Sequence, residues 1–317
     1  MLAELLYPRI DPVLLELFGP LAIRWYGLSY LLAFLAGAWV LRRLSARGFL
    51  TLDANGISDF MVWSVAGVLL GGRIGWVIVY GHEQIHGIAD IFQVWKGGMS
   101  FHGGLIGMAI CFFWFAKRRG ISGWRMADAG AIAAAPGIFA VRMANFLNGE
   151  LYGRITDQSV PWAMRFPSDP VATRLLSVRG LATREKELRI LEAYDNGSWA
   201  QLRQQVPLRH PSQLYEAFAE GILLGLTLWL LLRLTRGKEL AAGSYAAIFA
   251  IFYGAVRFVI EFYRQPDAQF RGPDDKLGTV LGPFSMGQVL CAGMILGGLF
   301  IWFFLRKKEQ PESKAAA

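Results

Sequence analysis

Seven stretches of mostly apolar residues run through the chain, at residues 21–41, 57–80, 97–116, 126–148, 211–234, 241–263 and 283–305. A helix rises about 1.5 Å per residue and the hydrocarbon core of a bilayer is about 30 Å thick, so each window is long enough for one crossing. Composition agrees with this reading. Of 317 residues, 54% are hydrophobic and 18% charged, whereas soluble domains carry roughly a quarter charged residues. The same figures exclude a disordered chain. The 36 Gly follow no fixed period, which excludes a collagen-like chain, and two Cys exclude a disulfide-stapled secreted domain. The expected fold is therefore all-α: one integral membrane domain over residues 1–317 with seven transmembrane helices. The first window does not have the form of a cleaved signal peptide. Glu4, Asp11 and Glu16 stand where a basic segment would be, and no small-x-small cleavage site follows a short core. Residues 5–17, broken by Pro8, Asp11 and Pro12, are too short to span and read as an amphipathic interfacial arm.

Orientation follows from Lys and Arg in short loops. Arg42, Arg43 and Arg47 follow the first window; Lys117, Arg118, Arg119 and Arg125 follow the third. Arg233, Arg236 and Lys238 follow the fifth, and Arg306, Lys307, Lys308 and Lys314 follow the seventh. The short segments on the opposite side hold only Arg9, Lys96, Arg271 and Lys276. The N-terminus is thus expected outside and the C-terminus in the cytoplasm. Residues 154–209 form a long external arm between spans four and five, and long loops obey the charge rule poorly. This asymmetry accounts for much of the net charge of +8, so no nucleic-acid partner is implied.

With that orientation, the ionisable and amide groups inside the windows share one level. Arg24, Arg73, His102, Arg142, Asn145, Asn148, Glu216, Glu220, Arg257, Glu261 and Arg264 all map to the outer half. Asp128 alone maps to the inner half. Snorkelling explains any single Arg. It does not explain the set, because the inner half has no matching population. The set points to one polar cavity opening toward the outer leaflet. Arg24, Arg73, Arg142 and Arg257 outnumber the nearby carboxylates if Glu216 and Glu261 pair with two of them. Arg carries a planar fork suited to phosphate, so the ligand class is a phospholipid headgroup, and the same groups would stabilise a leaving phosphate.

Four segments carry the candidate chemistry. In Gly98-Met99-Ser100-Phe101-His102-Gly103-Gly104, His102 has the near-neutral pKa of a proton acceptor, and its glycines let other backbone or substrate approach. A structural histidine is the alternative. From Arg142 to Gly153, the i,i+3 spacing of Arg142, Asn145 and Asn148 sets them on one helical face. The alternative there is a polar C-terminal cap, which fits Asn148-Gly149 better than Arg142. The segment from His210 to Glu216 starts span five, with Ser212 as N-cap and Glu216 as a possible Arg partner. Tyr253, Arg257 and Glu261 repeat at i+4, and Arg264 extends the stripe; a purely structural ion pair is the alternative. Zinc and P-loop motifs are missing, and Ser100 lacks the second Gly of a nucleophile elbow. Cys111 and Cys291 read as small apolar residues. No metal and no cofactor is expected.

Taken in order, these segments resemble the prolipoprotein diacylglyceryl transferase family of bacterial inner membranes over nearly the whole chain. The resemblance rests on Arg24-Trp25-Tyr26-Gly27, a turn at Gly72-Arg73-Ile74-Gly75, His102-Gly103-Gly104, and Arg142-x-x-Asn145-Phe146-x-Asn148-x-Glu150-x-x-Gly153. It also rests on the segment His210 to Glu216 and the stripe from Tyr253 to Asp267. Ala140-Val141 before Arg142 departs from the usual Gly-Arg, and the arm at 154–209 is long for the family. The resemblance implies transfer of the diacylglyceryl group of phosphatidylglycerol to the thiol of a lipobox cysteine in a prolipoprotein, with release of glycerol-1-phosphate. It implies His102 as base with Tyr253 as rival, and Arg142 and Arg257 on the phosphate. Asn145, Asn148, Glu150, Gly153 and Arg264 would shape the headgroup site, Glu261 would hold Arg257 in place, and Tyr26 and Arg73 would stand behind them. The partners are then phosphatidylglycerol, the lipobox peptide and membrane lipids, with the site facing the periplasm. A carrier or flippase for anionic phospholipids would share the arginines but needs polar groups in the inner half as well. An intramembrane protease would need a nucleophile or aspartate pair.

Overall fold

The computed structural model describes residues 5–17, 21–80, 87, 98–235, 240–266 and 278–305, with only the backbone at 79, 80, 101, 102 and 305. The start of the third window at Gly97, Asp267 at the end of the stripe, and the flanking basic residues Lys96, Arg236, Lys238, Arg271, Lys276, Arg306, Lys307, Lys308 and Lys314 lie outside the described residues.

Helices dominate. Strands β1 (Val13–Glu16) and β2 (Ala22–Arg24) precede α1 (Trp25–Ser45), α2 (Ala54–Tyr80), α3 (Phe101–Arg118) and α4 (Gly123–Leu147). The 154–209 segment contributes α5 (Pro170–Leu175), α6 (Thr183–Asp195) and α7 (Ser198–Leu202). Then follow α8 (Ser212–Leu234), α9 (Ser244–Ile260), strands β3 (Thr279–Leu281) and β4 (Phe284–Ser285), and α10 (Met286–Phe304). Five of these helices, α1, α2, α4, α8 and α10, are long and apolar enough to cross a membrane. α9 is apolar but 17 residues long, about 25 Å at 1.5 Å per residue. α3 has 18 residues.

The first apolar window starts later than expected, at Trp25, because Ala22–Arg24 pairs antiparallel with Val13–Glu16. The expected interfacial arm is therefore in part a β-hairpin. Asp11 folds it: its carboxylate accepts from Val13 N at 2.8 Å and its carbonyl from Trp25 Nε1 at 3.0 Å. The expected turn at Gly72–Gly75 is instead helical. Its glycines lie on an unbroken α2, where they serve packing rather than chain reversal.

The chain forms two compact units, Met1–Leu35, Ala134–Leu231 and Phe249–Leu299 in the first, and Ala36–Ala133, Leu232–Ile248 and Phe300–Ala317 in the second. In the second unit α2 and α3 meet through glycines. A Cβ on Gly103 would lie 2.3 Å from the Gly71 carbonyl oxygen, and one on Gly107 would lie 2.2 Å from that of Gly67. Small residues at four-residue spacing let membrane helices touch backbone to backbone. Phe60 packs against Phe112 and Phe115 beside this seam. Asp128, which the sequence set in the inner half, is fully buried and accepts from Gly243 N and Ala246 N, both at 2.8 Å. It satisfies amides at the start of α9 that have no partner within the helix.

In the first unit the 154–209 segment has its own small core of Ala172, Ala193, Trp199 and Val206. Ion pairs tie it to the hairpin: Arg24 to Glu187 at 2.7 Å, and Arg184 to Asp11 at 2.7 Å. Asp169 caps α5 through Val171 N and takes the Arg209 guanidinium at 2.7 and 2.9 Å.

Candidate functional site

Helix α4 ends where its sequence changes from apolar to amide-rich. Gly149 takes a left-handed conformation (φ 64°) just past the helix, and Glu150 N donates back to the Asn145 carbonyl at 3.0 Å. This is the glycine-terminated cap expected from Asn148-Gly149. The Tyr7 hydroxyl, from the N-terminal segment, lies 2.8 Å from the Phe146 carbonyl oxygen and 3.0 Å from that of Leu147. The Asn145 and Asn148 amides both donate to Glu150 Oε1, at 3.0 and 3.3 Å. The three polar residues thus form one fixed group. Gln213 Nε2 donates to the Glu150 carbonyl at 2.6 Å, and Ser212 Oγ to the Leu151 carbonyl at 3.1 Å. The expected Ser212 N-cap is therefore not formed. Pro211 occupies the cap, and the serine hydroxyl instead holds the turn that carries Glu150.

Gly153 closes this region. Its N–H donates to the His210 carbonyl at 2.8 Å, and Arg154 N donates to the Tyr263 carbonyl at 2.8 Å. A Cβ on Gly153 would sit 2.3 Å from the Tyr263 oxygen. Only glycine fits. Gly153→Ala is expected to push these segments apart and lower turnover about 100-fold, since misplacement of about 1 Å has that effect; a steady-state assay of the variant checks it.

One turn before Asn145, Arg142 enters a buried charge cluster. Its guanidinium lies 2.8 Å from Glu216 Oε2 and 3.3 Å from Glu220 Oε2. Arg257 Nη1 donates to Glu216 Oε1 at 2.9 Å and lies 3.7 Å from Glu220 Oε1. Arg257 Nη2 lies 3.3 Å from Glu261 Oε2, and Arg264 Nε lies 3.7 Å from Glu216 Oε1. The three carboxylate side chains are at most 4% exposed. Glu216 ends the first turn of α8, and Glu220 follows in a wider π-type winding, Ala217–Leu223; such windings often mark functional sites. Buried ions persist when paired, and these are paired across α4, α8 and α9.

Among the described residues, the expected basic excess is absent from this cluster. Arg142, Arg257 and Arg264 face Glu216, Glu220 and Glu261, three cations against three carboxylates. Arg24 goes elsewhere, half-exposed on Glu187. Spacing alone did not show that Glu220 also faces Arg142.

The remaining candidates divide between the units. Tyr26 meets Tyr30 edge-on at 5.1 Å, and the Tyr253 ring stacks on Phe249 at 5.7 Å, one turn before Arg257. Both lie in the first unit. Arg73 and His102 belong to the second. Arg73 Nη1 donates to the Gly98 carbonyl at 2.9 Å and lies over the Trp76 ring at 4.7 Å. His102 occupies the first turn of α3, which Ser100 caps by accepting from Gly103 N at 3.2 Å. Its side chain lies outside the described residues.

Sequence reading passed over an aromatic group at the start of α8. Trp162 Nε1 donates to the Tyr215 hydroxyl at 2.6 Å, and that hydroxyl lies 3.1 Å from His210 Nδ1. Burial pushes the His210 imidazole below the usual histidine range, against a smaller opposing pull from Asp157. A folded pKa below the unfolded one means stability that is full above about 6.5 and lost as pH falls toward the folded value. The thermal midpoint of the wild type is expected to drop between pH 7.5 and 5.5, and that of His210→Gln to drop less.

The family model described as Prolipoprotein diacylglyceryl transferase matches residues 12–304. A phosphatidylglycerol–prolipoprotein diacylglyceryl transferase of Pseudomonas aeruginosa is 41% identical over 315 residues, 98% of this chain and 99% of the relative. That of Pseudomonas entomophila is 42% identical over 316 residues, 98% of each. That of Neisseria meningitidis is 39% identical over 308 residues, 96% of this chain and 99% of the relative. Since the match runs from the first hairpin to the last helix, the chain belongs to the prolipoprotein diacylglyceryl transferase family.

Proposed function

We propose that the protein transfers the diacylglyceryl group of phosphatidylglycerol to the thiol of a prolipoprotein's lipobox cysteine, the first step of lipoprotein maturation. The observation that carries this reading is the buried pairing of Arg142 and Arg257 on one carboxylate, Glu216. Each guanidinium offers five donors, and the carboxylates engage only part of them. Two such forks held in fixed orientation suit a phosphodiester and the charge that grows on it as it leaves.

In the reaction the thiol loses its proton and the sulfur attacks the glycerol carbon that bears the phosphate. A C–S bond forms, the C–O bond breaks, and glycerol-1-phosphate departs with the electron pair. A free thiol has a pKa of about 8.5, so a nearby base or positive field helps. His102 takes the proton in this reading, with Tyr253 as the rival. Asn145, Asn148, Glu150 and Gly153 shape the headgroup site. Arg264 joins these headgroup residues, Glu261 holds Arg257 in place, and Tyr26 and Arg73 have supporting roles in this reading. The chain crosses the bacterial inner membrane seven times, α3 and α9 included, with its N-terminus and the 154–209 arm in the periplasm and its C-terminus in the cytoplasm. A lipid carrier would need polar groups in the inner half, and Asp128 there is bound to two backbone amides.

The test uses purified protein in detergent with phosphatidylglycerol and a lipobox peptide. Glycerol phosphate release and the peptide's mass gain are both expected. Folded, lipid-bound protein that yields neither product sinks the proposal. His102→Ala and Tyr253→Phe, assayed beside it from pH 6 to 9, identify the base as the variant that loses the rise of rate with pH.

A further inference from the structure

The last helix begins with Ser285-Met286-Gly287-Gln288, a segment given no role above. Ser285 is its N-cap in a reciprocal arrangement: Gln288 N donates to Ser285 Oγ at 3.3 Å, and Ser285 N donates to Gln288 Oε1 at 3.0 Å. This is a capping box, which ordinarily only starts a helix. Here the serine hydroxyl has a further partner. It lies 3.2 Å from Glu261 Oε1, and the other oxygen of that carboxylate is the one beside Arg257. A hydroxyl has one proton to donate and can still accept, so Ser285 serves the helix and the carboxylate at once. Serine, glutamine and glutamate are each at most 4% exposed.

Gly287 makes room for this contact. A Cβ there would lie 2.5 Å from Glu261 Oε1 and 2.6 Å from its Cδ. The carboxylate therefore rests directly on the first turn of α10. Unpaired N–H groups and the helix dipole favour negative charge at that position.

We infer that Ser285 and Gly287 are positioning residues for the reaction: the start of α10 fixes the Glu261 carboxylate, and Glu261 fixes the orientation of Arg257. The inference rests on the proposed role of Arg257. It assigns a specific task to a helix start that otherwise looks like ordinary capping. A bare ion pair between Arg257 and Glu261 leaves the carboxylate free to swivel about its own side chain. The hydroxyl on one side and the missing Cβ on the other remove that freedom.

The experiment is a set of steady-state assays on purified full-length protein with phosphatidylglycerol and a lipobox peptide. Ser285→Ala, Ser285→Thr, Gly287→Ala, Glu261→Gln, the double variant Ser285→Ala/Glu261→Gln, and Arg257→Ala are compared. Ser285→Ala is expected to lower kcat/KM about 10-fold, the scale of one hydrogen bond to a charged group. Ser285→Thr should recover to within about 3-fold of wild type, because the hydroxyl is kept. Gly287→Ala should lose up to about 100-fold, since it displaces the carboxylate itself. The double variant should be no worse than Glu261→Gln alone, because Ser285 acts only through that carboxylate.

A purely structural cap would give the opposite pattern. The losses from Ser285→Ala and Glu261→Gln would multiply, and Ser285→Ala would act through thermal stability alone. Either result overturns the inference, as does wild-type activity in Ser285→Ala while Arg257→Ala is inactive. Full activity in both Arg257→Ala and Glu261→Gln overturns the role of Arg257 as well, so the two failures are told apart. If Gly287→Ala does not fold, the two serine variants and the double variant still decide.

Discussion

Arg142→Ala is expected to lower diacylglyceryl transfer about 1,000-fold, the upper range for losing one charge-stabilising group from an active site. The same substitution is expected to destabilise the protein by about 3–5 kcal/mol, because it breaks a buried pair on one side only. Glu216 keeps Arg257 at 2.9 Å, but Glu220 is left with Arg257 at 3.7 Å as its remaining cation in the cluster. The two effects can be separated. Arg142→Ala/Glu220→Gln removes the surplus charge, so its thermal midpoint should return most of the way to wild type. Its activity should stay near that of Arg142→Ala. Arg142→Lys keeps the charge but loses the planar fork that reaches both carboxylates, and should remain about 100-fold impaired. Recovery of turnover along with stability in the double variant would show that Arg142 only holds the helices together.

Gly103→Ala is the second large effect. The added methyl would meet the Gly71 carbonyl oxygen at 2.3 Å and the Gly75 Cα at 2.9 Å. Both are backbone atoms of α2, so neither can swing aside as a side chain would. The helices must part along the seam, where a Cβ on Gly67, Gly71 or Gly107 would also fall within 2.8 Å of the facing helix. Overpacking of this kind costs about 1–3 kcal/mol or more, and here it also removes the close backbone contact that joins membrane helices. The variant is expected to purify in low yield with a thermal midpoint well below wild type. Gly104→Ala is the control. The methyl there meets the Val68 carbonyl oxygen at 3.4 Å, an ordinary contact, and should be tolerated. Equal behaviour of the two variants in a detergent unfolding assay would refute the backbone-contact reading of this seam.

Gly103 shows what could be read from residues and what could not. The glycines around His102 mark a close approach in any reading, because a missing Cβ has few other uses inside a helix. Their partner turned out to be the backbone of α2. The cause lies in Gly67, Gly71 and Gly75, whose four-residue spacing says nothing until α3 is laid beside them. The segment at Gly72–Gly75 likewise looked like a turn and is helix, since apolar neighbours on both sides carry the winding through.

Periodicity over about 20 residues is a local property, so the mostly helical character and the five long apolar helices followed from the chain alone, whereas the β1–β2 and β3–β4 pairs did not. The same holds for the grouping of Arg142 with Asn145 and of Arg257 with Glu261, since residues three and four apart share a helix face. Charge balance was not local. Glu216 and Glu220 lie on α8, and their choice of Arg142 and Arg257 depends on how α4, α8 and α9 pack in the first unit. Nor could any spacing show that Arg24 would leave for Glu187, or that Tyr7 would close the end of α4 from 139 residues away. Local periodicity decides which face a side chain takes. Its buried partner is decided by packing, because an unpaired charge in an apolar interior costs more than almost any rearrangement that would pair it.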